Sequence, residues 1–173
     1  MKISRRGLMT VVLSLVAVCA AATVGAGQTG RSGRVREVKV YFPKDGESSD
    51  MNRNPFNLQP VGRKVRAASP VRPTIEALLK GPTEAEEREG FHALDAQGMD
   101  ITTLTIRGGT AHASFRRRGG PQWAGDLAPE TFRQSVTRTL RQFPGVRRTI
   151  VCVDGLLNFG GLGEEVPDRK CPK

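Results

Sequence analysis

Two punctuated segments decide the fold of this chain: LLKGPTEAE at residues 78–86 and TLRQFPGV at residues 139–146. In the first, Gly81 can take the left-handed conformation that closes a helix, and Pro82 prevents the helix from continuing. In the second, the Pro-Gly pair turns a helix directly into an apolar strand. Both segments mark the ends of helices, and neither contains a pattern of catalytic residues. The sequence therefore predicts the fold better than the function.

Helices are predicted on either side of these stop signals. One helix precedes Gly81, with Pro73 tolerated in its opening turn. Thr83 and Glu86 have the spacing of a capping box, which predicts a short second helix. Before the Pro-Gly pair, a longer helix aligns four apolar residues on one stripe: Phe132, Val136, Leu140 and Phe143.

Alternation of apolar and polar residues predicts the strands. Four segments have the period of a strand with one buried face, at residues 36–42, 61–65, 101–106 and 110–115. Gly108-Gly109, between the last two, is typical of a two-residue hairpin turn. Residues 149–153 are apolar on both faces, which predicts a central strand. Residues 44–60 form a long polar loop, of the kind that is either functional or flexible.

The order of these elements predicts an α+β domain. We expect a two-layer sandwich in which a mixed sheet of about five strands carries two main helices on one face. The domain would span residues 35–155, and residues 156–173 would form a C-terminal tail. The opposite face of the sheet would remain free for contacts with other molecules.

The N-terminus has the features of an export signal. A basic start precedes an apolar run over residues 8–26, and small residues end the run at a position that suits cleavage. Residues 1–26 are therefore predicted to be a signal peptide, with residues 27–34 as a linker. An uncleaved membrane anchor through residues 8–26 and a lipid-modified Cys19 are the alternatives. Each interpretation places the domain outside the cytoplasm, in the periplasm or the cell envelope.

The chain is strongly basic. Lys and Arg number 27 against 17 acidic residues, and removal of the basic start lowers the net charge from +10 to +7. In a cytosolic protein this balance would suggest nucleic acid, but an exported chain meets anionic lipid, wall polymers and acidic protein surfaces first. Binding to nucleic acid is therefore not expected. A basic surface that binds anionic lipid or a cell-wall polymer is the alternative to a protein interaction module.

Two cysteines remain if the signal is cleaved, Cys152 and Cys171. An even number in an oxidising compartment favours a disulfide that ties the tail to the last strand. The other interpretation is that Cys152 is a small buried apolar residue and that Cys171 is a free thiol.

Few residues have a pattern that predicts catalysis. His92 and His112 are the only histidines, and neither has a cysteine or carboxylate at ligand spacing beside it. Asp154 follows the last strand, where an Asp-Gly pair is more typical of a turn than of a catalytic carboxylate. We therefore expect no catalytic residue, no metal site and no cofactor, and a secreted hydrolase is the less favoured alternative.

A cluster of arginines and the only tryptophan mark one candidate interaction site. Arg116, Arg117 and Arg118 precede a Gly-rich loop that contains Trp123. A solvated hairpin end and a tryptophan that covers the core would explain these residues simply. Alternatively, the arginines offer an electrostatic contact for an acidic partner or anionic lipid, and Trp123 offers an interface hot spot.

Five stretches in this order resemble a known family: VKVYF at 38–42, VGRKV at 61–65, ALLKGPT at 77–83, the hairpin through Gly108-Gly109, and TLRQFPGV at 139–146 leading to Val153-Asp154-Gly155. The chain resembles a GerMN domain, the module named for the spore germination protein GerM. That resemblance implies a noncatalytic α+β domain outside the cytoplasm that contacts an envelope protein. The chain departs from the family pattern in the loop 44–60 and at residues 92–98. It also has a single copy of the domain, so the resemblance implies neither a role in sporulation nor an oligomeric state.

Overall fold

The structure, a computed structural model, describes residues 34–119, 123–157, 159 and 170–172. The predicted signal peptide or anchor, Cys19 and nearly all of the linker 27–34 lie outside the described residues. Among the residues that are described, no helix is both long enough and apolar enough to cross a membrane.

The described part of the domain contains five strands and three helices. In chain order they are β1 (Val35–Pro43), β2 (Leu58–Arg66), α1 (Val71–Leu79), α2 (Glu84–Arg88), β3 (Met99–Arg107), β4 (Thr110–Arg117), α3 (Ala128–Arg141) and β5 (Arg148–Val153). Every predicted helix and strand is present. Each strand is longer than expected, and two of the extensions matter most: β2 begins at Leu58 rather than Val61, and β4 continues to Arg117 rather than Phe115.

The strands are divided between two sheets rather than joined in one. β1 and β2 form an antiparallel pair, whereas β4 pairs antiparallel with β3 and parallel with β5. The prediction of an α+β domain with about five strands is confirmed. The predicted central position of the last strand is wrong, because β4 is the central strand and β5 pairs with β4 alone among the described strands. The second face of β5 carries Ile150 and the buried Cys152, which is bonded to the tail.

The turns and helix ends follow the local sequence. Gly108 and Gly109 have φ angles of 53° and 76°, the positive values that a two-residue hairpin turn requires. The Thr83 side chain accepts a hydrogen bond from the Glu86 N–H, and the Glu86 carboxylate accepts one from the Thr83 N–H at 2.8 Å. Gly81, with φ of 84°, follows the end of α1. The predicted hairpin, capping box and helix stop are all confirmed.

The core lies between the strands and the two main helices. α1 and α3 contribute fully buried side chains, namely Ile75, Leu78, Phe132, Val136 and Leu140. These side chains meet buried residues of the strands, among them Val40, Phe42, Ala111, Ala113 and Phe115. The predicted apolar stripe of the last helix is confirmed, and it packs against both β1 and β5.

The C-terminal end of α3 also occupies the free edge of β1. The Gln142 side chain accepts a hydrogen bond from the Lys39 N–H at 2.7 Å and donates one to the Lys39 carbonyl oxygen at 2.6 Å. Thr139 Oγ1 accepts a hydrogen bond from the Tyr41 N–H at 3.3 Å. These are the backbone groups that an unprotected edge strand would offer to another chain. The fold therefore protects β1 against edge-to-edge pairing.

Candidate interaction surface

The three consecutive arginines at the end of β4 do not share one environment. Arg116 and Arg118 are exposed, and Arg118 pairs with Asp100 at 3.2 Å. Arg117 lies between them on the buried face, where its side chain is only 7% exposed. Alternation separates the three side chains because β4 continues two residues beyond Phe115, where we expected the strand to end.

Arg117 and Trp123 pack together at the rim of the core. The Arg117 guanidinium lies 4.1 Å from the centre of the Trp123 ring and donates hydrogen bonds to the Asp95 carboxylate, at 3.3 and 3.4 Å. The centres of the Phe132 and Phe159 rings lie 5.8 and 5.6 Å from that of Trp123. This packing gives Arg117 and Trp123 a structural role. An interaction role for the four predicted residues stays a prediction, and its solvent-exposed members are Arg116 and Arg118.

Strand β4 has a second face that the helices leave uncovered. Ala111, Ala113 and Phe115 point into the core, so His112 and Ser114 point the other way and are only half-buried. The main helices α1 and α3 pack on the core side of this sheet. We call the opposite side of β3, β4 and β5 the open face. None of the described helices covers it.

Two adjoining hollows lie on the open face and share His112 and Ile150. One has a volume of about 480 Å³ and reaches the end of α3, and the other has a volume of about 290 Å³ and reaches the tail. The floor carries hydroxyl, imidazole and apolar side chains, including Thr103, Thr105, His112, Ser114 and Ile150. Together the hollows make a groove across the three strands, which we call the open-face groove.

Three arginines from three different elements line the open-face groove: Arg107 of β3, Arg148 of β5 and Arg141 at the end of α3. All three are exposed, and within the described residues none forms an ion pair or a side-chain hydrogen bond. Among those residues, no acidic side chain lines either hollow. The groove therefore has a positive field that attracts anionic groups. Sequence reasoning missed this cluster because Arg107 is far along the chain from Arg141 and Arg148, and the pairing of β4 with both β3 and β5 places Arg107 and Arg148 on one sheet.

A disulfide holds the tail beside the open-face groove. Cys152 of β5 is joined to Cys171, with the two Cα atoms 6.2 Å apart. The Cys171 N–H also donates a hydrogen bond to the Gly155 carbonyl oxygen at 3.0 Å. These contacts place Pro172 at the wall of the smaller hollow. The structure thus contains the cysteine pairing that the sequence favoured.

The histidines and Asp154 do not converge on one site. His92 contacts Asp45 at 2.6 Å, and both side chains are more than half exposed. His112 lies in the open-face groove. Asp154 has a φ of 51° in the turn after β5, and its carboxylate accepts a hydrogen bond from the Arg117 N–H at 3.1 Å. Among the described residues, no group of His, Cys, Asp and Glu is arranged to hold a metal ion.

One partly buried ion pair joins β2 to α2. The Arg63 guanidinium donates two hydrogen bonds to the Glu86 carboxylate, at 2.6 and 2.7 Å. These bonds from Arg63 hold the pKa of Glu86 below its ordinary value, and the Thr83 N–H lowers the pKa further. Because Glu86 also completes the capping box, the pair explains local structure rather than a reaction.

The fold and the surface together define an α+β domain that commits one face of its mixed sheet to the core and leaves the other face open. The chain belongs to the Germane family, whose model, described as sporulation and spore germination, matches residues 39–157. The identification of a GerMN-type domain from the sequence is confirmed.

Two solved structures from Bacillus subtilis are similar to this chain. The tandem GerMN domains of the sporulation protein GerM share 18% identity with it at a TM-score of 0.51, over 78% of this chain and 43% of that chain. The first GerMN domain of the same protein shares 19% identity at a TM-score of 0.48, over 78% of this chain and 97% of that chain. This chain therefore spans less than half of the tandem structure, and the likeness concerns the fold. No curated protein matches the sequence significantly.

Proposed function

We propose that this chain is a noncatalytic domain of the cell envelope that works by binding another protein. The observation that carries the proposal is the open face of the β3–β4–β5 sheet. The residues of the opposite face supply the core, whereas the open face presents a groove with arginines that have no partner among the described residues. Exposed charges contribute little to the stability of a fold, and their placement around a groove without acidic residues attracts anionic groups of a partner.

Two features support a location outside the cytoplasm. The basic and apolar start of the sequence has the pattern of an export signal. The bond between Cys152 and Cys171 suits an oxidising compartment, since disulfides persist there and are rare in the cytosol. We expect the mature protein in the extracytoplasmic fraction of the producing cells, with a shortened N-terminus by mass spectrometry. Recovery of the protein from the cytosol with residues 1–26 intact would contradict the proposed location.

The interaction role is tested by photo-crosslinking in the cells that produce the protein. A photoreactive amino acid is placed singly at positions across the domain, for example at the half-buried Thr105 in the open-face groove and at the exposed residues Lys64 on β2 and Glu87 on α2. We expect a discrete protein adduct from at least one group of neighbouring positions. Absence of a discrete adduct from every position in the scan would overturn the proposal of a protein interaction domain.

A second function is favoured by the same arginines, namely binding of anionic lipid or a cell-wall polymer. Such binding would depend on the total positive charge more than on the placement of individual residues, and it would weaken steeply as the salt concentration rises. Matched charge variants on two different surfaces therefore separate this function from recognition of a protein.

A further inference from the structure

We propose that the open-face groove docks an extended acidic segment of a partner protein. This inference rests on the proposed function as an interaction domain and deepens it by naming the surface and the chemistry of the partner. Three properties of the groove support it: the placement of its charges, the composition of its floor and its concave shape.

The charges of the groove converge from separate elements. Arg107, Arg141 and Arg148 come from β3, α3 and β5, and no acidic residue lines the hollows among the described residues. A guanidinium group presents a planar fork of N–H donors that matches a carboxylate in a bidentate arrangement. Carboxylates of a bound segment would pair with these three guanidinium groups, which have no acidic partner among the described residues.

The floor of the groove suits a polypeptide. The Thr103, Thr105 and Ser114 hydroxyl groups both donate and accept hydrogen bonds, so they can serve the N–H and C=O groups of an extended backbone. Ile150 and Pro172 add apolar surface between the polar groups. Arginine at the edge of a partly apolar patch is a composition that protein interfaces favour. A chain of phosphate groups has no apolar groups that could pack against Ile150 and Pro172.

The shape and the edges of the domain restrict how a partner approaches. A groove across three strands admits a narrow chain, whereas a flat bilayer surface would contact only its rim. The free edge of β1 is occupied by the side chains of Gln142 and Thr139, so a partner strand cannot pair there without displacing them. None of the described helices covers the open-face groove, so a partner that reaches it displaces none of them.

The test measures binding of a short fluorescent peptide of alternating Glu and Val to the purified protein as the cell processes it. One variant carries Arg107→Glu and Arg148→Glu in the groove. The matched control carries Arg36→Glu and Arg66→Glu, which are exposed strand positions on the β1–β2 sheet and change the net charge by the same amount. We expect the groove variant to bind the peptide about tenfold more weakly and the control to stay within about twofold of the unmodified protein.

Equal weakening in both variants would overturn the inference, because it would show attraction by total charge alone. The same assay with inorganic polyphosphate, and with vesicles of phosphatidylglycerol and phosphatidylcholine, tests the other anions. Stronger binding to either of these than to the peptide, with the same dependence on Arg107 and Arg148, would also overturn it. Thermal unfolding of both variants, which alter only exposed side chains, verifies that each is folded.

Photo-crosslinking separates this inference from the proposed function. An adduct at Thr105 that is lost in the variant with Arg107→Glu and Arg148→Glu supports both. A protein adduct that forms only at Lys64 or Glu87 preserves the interaction domain and overturns the open-face groove as its docking site.

Discussion

The two faces of the β3–β4–β5 sheet are built from alternate residues of the same strands and yet meet opposite surroundings. On the core face, Ala111, Ala113 and Phe115 are at most 1% exposed and belong to the hydrophobic core, where Phe115 contacts Phe132 of α3. On the open face, the residues between them are polar, and the arginines that surround them have no acidic partner among the described residues. The comparison teaches that a period of two divides this sheet into a buried face that stabilises the fold and an exposed polar face, which we propose for recognition.

The largest expected effect is a difference in the free energy of unfolding between substitutions at two neighbouring residues of β4, one on each face of the sheet. Phe115→Ala removes a buried ring that contacts Phe132 edge-on at 5.1 Å, so we expect a loss of about 3–5 kcal/mol in the free energy of unfolding. Ser114→Ala, one residue away on the open face, should change that free energy by no more than about 0.5 kcal/mol. Urea unfolding of both variants measures the difference. Similar losses would break the comparison between the faces.

The disulfide adds a second test of the two faces, because it links the open face of β5 to the tail and contributes to stability from that face. Replacement of both Cys152 and Cys171 by serine should lower the free energy of unfolding by about 3 kcal/mol, since the unfolded chain would regain the freedom of the closed loop. Denaturant unfolding measures this loss, and mass spectrometry with thiol alkylation detects the bond in the unmodified protein. Two free thiols in protein from oxidising conditions would contradict the pairing.

Substitution of Trp123 tests whether this residue, at the rim of the core, stabilises the fold or belongs to a docking surface. Trp123 is only partly buried, but it stacks on Phe159 and carries Arg117 over its ring, so Trp123→Ala should cost about 2 kcal/mol of unfolding free energy. Arg116→Ala, at an exposed position, should cost almost nothing. Thermal melts of the two variants compare them. An unchanged melting temperature for Trp123→Ala would assign the residue to an interface instead.

The smallest expected change in stability comes from the ion pair between Arg63 and Glu86. Unlike the arginines of the open-face groove, Arg63 has an acidic partner. Because the Arg63 hydrogen bonds lower the pKa of Glu86 below 4.5, the pair contributes stability at neutral pH and loses it as the pH falls through 4.5 towards the lower folded pKa. Glu86→Gln should cost about 1 kcal/mol at neutral pH. Urea unfolding across the acidic range should show a shallower loss of stability in Glu86→Gln than in the unmodified protein. Identical slopes would show that this pair adds nothing to the pH dependence.

Much of the fold was predictable because its signals are local. Gly81, the capping box and the Gly108-Gly109 turn each depend on a few adjacent residues, and each was located correctly. The error at β5 has a different origin. An apolar pattern on both faces cannot distinguish a central strand from an edge strand whose second face carries a buried, disulfide-bonded cysteine.

The candidate surface was less predictable than the fold. Arg116, Arg117 and Arg118 stand out as a run of letters, but the extension of β4 by two residues buries the middle one against Asp95 and Trp123. The groove arginines have no signature in the sequence because they belong to three separate elements. The Gly108-Gly109 turn identifies β3 and β4 as neighbours, but no local pattern indicates that β5 pairs with β4.

The sequence by itself determined the helices, strands and turns of this protein and its membership of a family, because propensity, periodicity and backbone geometry act over a few residues. Only the tertiary structure decided that β1 pairs with β2 and β5 with β4, which arginine is buried and which arginines line the open-face groove. Those outcomes depend on contacts between residues that are distant in the chain. Their free energies are settled by the packing of the whole domain and not by any one segment.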